Sequence, residues 1–235
     1  MQTIFVTGTD TEVGKTHVAC CLIRQLRHTG LNVGAYKPAC SGAEYDAAGR
    51  PVWRDVERLH AAAGLDVSLD LICPQRFLAA VAPNVAAALE GRSVSTELLV
   101  SGVSAWDRIA DVLIVEGAGG LFCPLSDEFT VLDLAVRVQA TMVVVAANRL
   151  GVINHTRLTV ERICQSGLKL AAVILNEVQI PNRDDASLMT NARQISHWIP
   201  DVALLNLGFG GDDLRVLSGG QRLTNPLLQG IICQT

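Results

Sequence analysis

The residues of this chain that point most clearly to chemistry form one short segment, Gly8-Thr9-Asp10-Thr11-Glu12-Val13-Gly14-Lys15-Thr16. The segment follows the apolar run Ile4-Phe5-Val6 and opens a helical pattern over residues 15–29. A strand, a glycine-bounded loop and Gly-Lys-Thr at a helix start are typical of a loop that binds phosphate groups. Glycines let backbone N–H groups turn toward phosphate oxygens, Lys15 supplies a mobile cation, and the Thr16 hydroxyl can bind Mg²⁺. The interval from Gly8 to Gly14 is one residue longer than the common pattern, so this loop is a variant.

Two carboxylates are candidates for holding the metal ion beside this loop. Glu116 ends the apolar run of residues 112–115 and precedes a run of glycines. A carboxylate at that position can bind Mg²⁺ opposite Thr16. Asp55 follows a loop and opens a helical pattern, so it is compatible both with a second metal ligand and with a residue that stabilises a helix N-terminus.

Three further sites are candidates for contacts with a reacting molecule. Lys37 is the cation at the end of a strand-like run, where it can stabilise developing negative charge or simply be a solvated strand-end lysine. Ser41 is a weak signal, because loop serines are common. The segment 151–156 lies between a strand and a helix, and backbone N–H groups at such a helix start suit a carboxylate. No order of Ser, His and Asp or of Cys and His suggests covalent catalysis.

These candidates require a fold that brings them to one edge. Apolar strand-like runs alternate with helical patterns, and several runs are apolar throughout, as in strands that helices cover on both faces. The alternation predicts an α/β fold with a doubly wound, mostly parallel sheet and helices on both faces, whose ligands bind at the carboxyl ends of the strands. The expected strands are residues 3–7, 32–36, 112–115, 142–146, 170–175 and 202–205, and the expected helices are residues 15–29, 55–63, 81–90, 96–110, 130–138, 154–166 and 183–198.

Size and composition limit the classes of function. The 235 residues fit a single domain, and a net charge of −4 without a basic block argues against a nucleic-acid partner. No leader sequence and no long apolar stretch is seen, so we expect neither export nor membrane insertion. Scattered cysteines without a C-x-x-C pair indicate neither a zinc site nor a disulfide framework, and reduced thiols favour a cytoplasmic location. The cysteines are Cys20, Cys21, Cys40, Cys73, Cys123, Cys164 and Cys233.

Taken together, four groups of residues resemble the dethiobiotin synthetase family of the biotin pathway. The motifs agree in order and spacing from residue 3 to about residue 176, and the longer interval in the phosphate loop is itself a feature of that family. The groups are residues 8–16; Tyr36-Lys37-Pro38 with Ser41-Gly42; Val115-Glu116-Gly117-Ala118-Gly119-Gly120 with Pro124-Leu125; and Leu150-Gly151 with Ile153-Asn154-His155.

The resemblance implies an ATP- and Mg²⁺-dependent ligase with a P-loop NTPase-like fold. In the family, 7,8-diaminopelargonate reacts with CO₂ to give a carbamate, which ATP phosphorylates to a carbamic-phosphoric anhydride. The second amine then closes the ureido ring of dethiobiotin, and ADP and phosphate are released. No protein nucleophile is needed, since the substrates supply the reacting groups. The family also implies a homodimer with its active sites at the interface.

The resemblance also implies roles for individual residues. Catalytic roles fall to Thr11, Lys15 and Lys37, and Mg²⁺ would be held by Thr16, Asp55 and Glu116. The nucleotide would be bound by Glu12, Val13, Gly14, Lys15, Thr16 and His17, with Asn176 on the base. The substrate would be bound by Thr11, Lys37 and Ser41, and its carboxylate tail by Gly151, Val152 and Asn154 of a partner subunit.

Some segments depart from the family pattern. Residues 79–84 lack an expected Glu-Pro and histidine, Leu188 stands where some members have tyrosine, and residues 204–208 replace a proline-containing segment of the base pocket. The departures leave substrate-tail contacts and base selectivity open. Two alternatives follow: a non-catalytic nucleotide-binding regulatory domain of the same fold, and a partner-controlled ATPase switch. Against the switch, the phosphate loop has no lysine before Lys15, and no cysteine pair suggests a bridging cluster.

Overall fold

The computed structural model describes residues 1–182 and 184–218. Its helices and short or long strands alternate along the chain, as the apolar pattern predicts. In chain order the elements are β1 (Gln2–Gly8), α1 (Lys15–His28), β2 (Val33–Tyr36), β3 (Cys40–Ser41), β4 (Glu44–Tyr45), β5 (Pro51–Val52), α2 (Arg54–Ala63), α3 (Leu69–Ile72), β6 (Arg76–Phe77), α4 (Pro83–Leu89), α5 (Thr96–Ser104), β7 (Val112–Gly120), β8 (Pro124–Ser126), β9 (Phe129–Thr130), α6 (Val131–Arg137), β10 (Thr141–Ala147), α7 (Val152–Gln165), β11 (Lys169–Asn176), α8 (Ala186–Trp198), β12 (Ala203–Leu207) and β13 (Leu214–Ser218).

Seven of these strands form the central sheet, in the order β13–β12–β11–β10–β1–β7–β2. All neighbouring pairs are parallel except β12 and β13, which run antiparallel at one edge. The predicted doubly wound, mostly parallel sheet is therefore confirmed. β1 lies between β7 and β10, so the loop that follows it opens at the point where the chain switches direction across the sheet. Ligands of such sheets bind at this point.

The central strands are buried on both faces. Consecutive residues Ile4, Phe5 and Val6 of β1 are fully buried, and so are residues 142–146 of β10. Successive strand residues face opposite sides of a sheet, so burial at every position requires a cover of helices on both faces. This explains why the strands are visible in the sequence as unbroken apolar runs.

The predicted helices shift by one to three residues at some ends, and that over residues 96–110 is shorter by six. Two of these differences have a clear physical cause. The helix expected over residues 96–110 ends at Ser104, because the chain then tightens into turns that bury Trp106. The indole lies against β2, where a Cβ at Gly34 would stand 2.5 Å from it. The helix expected over residues 81–90 begins at Pro83, since proline lacks an N–H and favours the first turn of a helix.

The sequence patterns missed the short α3 and the edge strand β13. Arg183 and residues 219–235, which include Cys233, lie outside the described residues. The six described cysteines are unpaired. Among the helices that the structure describes, none has the length and apolar character to cross a membrane.

Candidate active site

The phosphate loop joins β1 to α1 in a conformation that explains its residue types. Gly14, at the start of α1, has a φ of 89°, and a Cβ there would lie 2.0 Å from the amide nitrogen of Asn176. Glu12 also has a positive φ, 56°, which is uncommon for a residue other than glycine. At Gly8 a Cβ would stand 2.7 Å from the Asp10 carbonyl oxygen. The loop is therefore held in a narrow backbone path, as expected of a loop whose N–H groups bind phosphate.

Lys15 folds back over this loop. Its Nζ donates a hydrogen bond of 2.9 Å to the carbonyl oxygen of Asp10. Burial lowers the pKa of Lys15 below its ordinary value, and the nearby Lys37 adds to this, although Glu116 and Asp55 oppose it. Because burial disfavours the charged form of Lys15, a contact with anionic phosphates would stabilise that charge.

One buried cluster is formed by side chains from four segments, those of Thr16, Lys37, Asp55 and Glu116. Lys37 Nζ donates to Glu116 Oε1 at 2.6 Å and to Asp55 Oδ2 at 2.9 Å. The Thr16 hydroxyl donates to the same Glu116 oxygen at 2.8 Å. These contacts join four separate segments of the chain, whose contacting residues lie 18 to 100 positions apart.

The charges of this cluster stabilise one another. Burial opposes a charge on Lys37, yet the carboxylates of Glu116 and Asp55 raise its pKa well above the ordinary value. Burial likewise favours the neutral form of Asp55, but Lys37 and a hydrogen bond from Thr16 hold the pKa of its carboxyl below the usual range. Lys37 is therefore an ammonium group, and Asp55 a carboxylate, across the neutral pH range.

The same cluster has the ligands that Mg²⁺ prefers. Mg²⁺ binds hard oxygen donors, and this cluster offers a hydroxyl and two carboxylates. Glu116 Oε2 is buried without a hydrogen-bond partner among the described residues. A buried carboxylate oxygen that lacks a donor lowers the stability of the fold. The observed arrangement therefore fits a site in which a cation completes the coordination of this oxygen. Thr16, Asp55 and Glu116 are the residues that fit Mg²⁺.

Thr11 lies on the other side of the loop, at a cavity of about 640 Å³. The walls come from three segments: residues 9–11 of the phosphate loop, residues 119–123 at the end of β7, and α7. From α7, Leu158 and Arg162 face the cavity, and Leu158 is mostly exposed. The cavity therefore combines the polar loop edge with an apolar wall, as a small molecule with a polar end and an aliphatic chain requires.

Ser41 serves a neighbouring segment in this structure. Its hydroxyl donates a hydrogen bond of 2.6 Å to the carbonyl oxygen of Val81, which belongs to the segment that departs from the family pattern. The backbone of that region is further fixed by the hydrogen bond from Ala43 N to Leu78 O, 2.9 Å. Ser41 thus positions the chain between β6 and α4 beside the cluster of Lys37.

The connection from β10 to α7 meets the phosphate loop. Arg149 Nη2 lies 3.3 Å from Asp10 Oδ2. Behind it, the buried Asn191 of α8 donates to Asn148 Oδ1 at 2.8 Å and to the Arg149 carbonyl oxygen at 3.2 Å. Gly151, with a φ of 93°, starts α7, so Val152 and Asn154 form the first turn of that helix at the same edge of the sheet.

On the far side of the loop, two predicted nucleotide contacts have other partners. Asn176 is buried and donates to the Val13 carbonyl oxygen at 2.9 Å, so it supports the phosphate loop directly. His17 Nε2 lies 2.7 Å from the carbonyl oxygen of Gly211, in the loop between β12 and β13. This loop, residues 208–213, therefore contacts α1 directly after the phosphate loop.

The structure therefore gathers most of the predicted residues around one loop. The first cluster holds Thr16, Lys37, Asp55 and Glu116. Thr11 lines the cavity together with the later part of α7, whereas the start of α7, with Gly151, Val152 and Asn154, does not line it. Sequence reasoning missed Asp10, Arg149 and Asn191. Arg149 lies in a polar segment that follows a predicted strand, which places it at the correct edge, but nothing in the sequence pairs it with Asp10.

Known proteins of similar sequence were found over most of the chain. A family model described as AAA domain matches residues 2–206. The ATP-dependent dethiobiotin synthetase BioD of Anaeromyxobacter sp. (strain Fw109-5) is 46% identical over 196 residues, which cover 83% of this chain and 85% of that protein. The protein of the same name from Rhodopirellula baltica is 41% identical over 211 residues, covering 85% and 82%.

A solved structure supports the fold. Chloroplast FtsY from Physcomitrella patens superposes with a TM-score of 0.50 at 14% sequence identity, over 98% of this chain and 64% of that chain. At this identity the similarity concerns the fold alone.

Proposed function

Because this chain belongs to the ATP-dependent dethiobiotin synthetase family, we propose a role in the reaction for each residue of its site. The reaction closes the ureido ring of dethiobiotin with ATP in biotin biosynthesis, and the chain is the ligase that catalyses it. The observation that carries the proposal is the buried contact of Lys37 with Glu116 and Asp55 directly beside Thr16 of the phosphate loop. It combines a fixed cation, a set of oxygen ligands and a phosphate-binding backbone at one point.

Lys37 is the group that neutralises charge during the reaction. The carbamate and the transferred phosphoryl group are both anionic, so bringing them together requires preorganised positive charge. Lys37 is buried, and its neighbours keep it protonated. Lys15, folded over the loop, supplies a second cation for the phosphates, and Thr11 orients the carbamate from the cavity side.

The nucleotide phosphates lie against the backbone N–H groups from Glu12 to His17, at the N-terminus of α1. Thr16, Asp55 and Glu116 would hold Mg²⁺, which when bound would supply Lewis-acid stabilisation of the phosphate oxygens. Asn176 fixes the Val13 carbonyl behind the loop and lies on the side where the base is bound.

The diamine occupies the cavity next to Thr11, with its reacting amines toward Lys37 and Ser41. Its aliphatic chain contacts the apolar wall, and water is excluded from the reacting end. The second amine closes the ring by attack on the activated carbamate carbon, and phosphate leaves. The protein contributes position and charge here, not a covalent bond.

We propose that the active unit is a homodimer, in which the first turn of α7 binds the substrate carboxylate from the partner subunit through Gly151, Val152 and Asn154. Apolar side chains exposed on this side of the molecule support an interface: Leu150 is 85% exposed and Leu158 60%. The proposed partners are therefore small molecules and a second copy of the chain, with neither nucleic acid nor a membrane.

The proposed compartment is the cytoplasm, where the unpaired thiols of the six described cysteines stay reduced.

The decisive assay combines the protein with diaminopelargonate, bicarbonate, ATP and Mg²⁺. We expect dethiobiotin and ADP in equal amounts, with ADP release dependent on the diamine. A protein that binds ATP in calorimetry but releases no ADP in response to the diamine would instead be the regulatory domain considered from the sequence. Omitting Mg²⁺ in a parallel reaction tests the metal requirement separately.

A further inference from the structure

A second cluster of metal-ligating atoms lies between α1 and the loop of residues 208–213. His17 and Cys21 are one helical turn apart and share one face of α1. The loop of residues 208–213 lies against this face, where Asp212 Oδ1 is 3.4 Å from Cys21 Sγ. One imidazole nitrogen, one thiol sulfur and one carboxylate oxygen thus lie within 4.8 Å of one another.

The nitrogen and sulfur ligands of this cluster favour a different class of metal ion from the class that suits the oxygen ligands around Glu116. Imidazole and thiolate ligands favour Zn²⁺ and related cations over Mg²⁺. Zn²⁺ binds sulfur at about 2.3 Å and nitrogen or oxygen at about 2.0 Å, so tetrahedral ligands stand about 3.5 Å apart. The pair of Cys21 and Asp212 already has this separation.

A cation already occupies the edge of this cluster. The Arg24 guanidinium forms an ion pair with Asp212 and lies 3.6 Å from Cys21 Sγ. The Arg24 side chain is 40% exposed, so it can turn into solvent without leaving a buried charge. A metal ion that displaces Arg24 therefore exchanges one cation for another.

The thiol must lose its proton to bind a metal. Burial, and next the hydrogen bond to Asp212, raise the pKa of Cys21 to about 12. A divalent cation offsets this cost by coordinating the thiolate directly. Gln25 Nε2 also donates to the Asp212 carbonyl oxygen at 3.0 Å, which keeps the loop close to the helix.

We propose that His17, Cys21 and Asp212 form a binding site for a thiophilic divalent cation of the Zn²⁺ class, with its fourth position open to water. The site is separate from the ligase chemistry of Lys37 and the oxygen cluster. An occupied site ties the loop of residues 208–213 to the helix that starts at the phosphate loop. No sequence motif indicates it, because Asp212 is 191 residues from Cys21.

The test uses the full chain and Co²⁺ as the probe, since a bond between thiolate and cobalt gives a charge-transfer absorption band. We expect wild type to bind one Co²⁺ with this band, and Zn²⁺ to abolish the band by displacement. Cys21→Ser removes the band, whereas Cys164→Ser, at an exposed cysteine of α7, retains it. Asp212→Asn weakens Co²⁺ binding by at least about tenfold, since even outer-shell partners are worth that much.

A wild-type protein without the band, or a Cys21→Ser variant that keeps it, overturns the proposal. Circular dichroism without metal checks that each variant is folded. If Cys21→Ser does not fold, Arg24→Gln decides the question. Removing the competing guanidinium must strengthen Co²⁺ binding, and unchanged or weaker binding rejects the site.

Discussion

Two neighbouring residues at the start of α1 lie in clusters of different chemistry. Thr16 contacts Glu116 in a buried cluster in which the possible metal ligands are all oxygens. His17, the next residue, lies with Cys21 and Asp212, which together offer nitrogen, sulfur and oxygen. Successive residues of a helix point about 100° apart, so one turn of α1 serves both sides of the phosphate loop.

Each cluster contains one cation of the protein, and the two cations differ in exposure. The Lys37 side chain is 5% exposed, and its partner Glu116 is 1% exposed. The Arg24 side chain is 40% exposed, and its partner Asp212 67%. Breaking a buried pair leaves an uncompensated charge, whereas water solvates an exposed one. The ion pair between Lys37 and Glu116 is therefore held in place by burial, whereas another cation can replace Arg24 beside Asp212.

The largest expected effect is on catalysis at the buried cluster. We expect Lys37→Ala to lower turnover by about 100-fold or more, near 3 kcal/mol, because the charge of the transition state loses its partner. Nucleotide binding in calorimetry should change little. Lys169→Ala, at the exposed start of β11, is the matched control and should leave turnover intact. Turnover that survives in Lys37→Ala removes this role from the lysine.

The next effect concerns stability at the same cluster. Glu116→Gln leaves Lys37 buried with Asp55 as its one remaining carboxylate, so we expect the free energy of unfolding without ligands to fall by about 2 kcal/mol. Urea denaturation measures the change, with Glu128→Gln at an exposed position as the control. If Glu116→Gln and Glu128→Gln had equal free energies of unfolding, the buried ion pair of Lys37 and Glu116 would contribute no more to stability than an exposed carboxylate.

The pH dependence of stability tests Asp55 alone. Its pKa is lower in the folded protein than in the unfolded chain, so its contribution is present above the unfolded pKa, about 3.9, and is lost as pH falls through the folded pKa. The advantage of wild type over Asp55→Asn should therefore be constant at neutral pH and vanish in acid. Because the side chain is 42% exposed, we expect less than about 1 kcal/mol.

Unfolding followed in parallel from neutral pH to pH 2 gives this difference, with Asp66→Asn in the exposed loop after α2 as the control. An advantage that persists below the folded pKa, or grows in acid, contradicts the ion pair with Lys37.

The smallest expected effect is at the exposed cluster. Arg24→Gln without added metal should change the free energy of unfolding by about half a kcal/mol or less, since exposed ion pairs contribute little. Urea denaturation beside Glu116→Gln makes the comparison direct. A loss as large as that of Glu116→Gln would mean that Arg24 is as fixed as Lys37, and would count against its replacement by a metal ion.

Much of this architecture could be predicted from the sequence because the physical cause is local. Strands buried on both faces need apolar residues at every position, so β1, β7, β10 and β11 are visible as apolar runs. The phosphate loop is visible because Gly14 requires a positive φ and Lys15 and Thr16 must follow it directly. The helix predicted over residues 96–110 is present but ends at Ser104. Its end could not be predicted, because the burial of Trp106 depends on a distant glycine.

The candidate site likewise has features that the sequence predicts and contacts that it does not. That Lys37 follows its strand and Glu116 follows the apolar run of its strand was predictable, although β7 continues beyond Glu116 to Gly120. The parallel sheet places both residues at one edge. That Lys37 lies between Asp55 and Glu116 was not predictable, since the loops that deliver these side chains have no repeating pattern. For the same reason the hydrogen bond from Asn176 to the Val13 carbonyl was not predictable, and the contact of Asn176 with the base stays a prediction.

The sequence by itself determined the sheet, the phosphate loop and the family, because each depends on residue types at short, regular intervals. Only the tertiary structure decided which charges meet. The contact of Thr16 with Glu116 joins residues 100 positions apart, and that of Cys21 with Asp212 joins residues 191 apart. Ion pairs and metal ligands act over a few ångströms, and only the folded chain brings such residues within that distance.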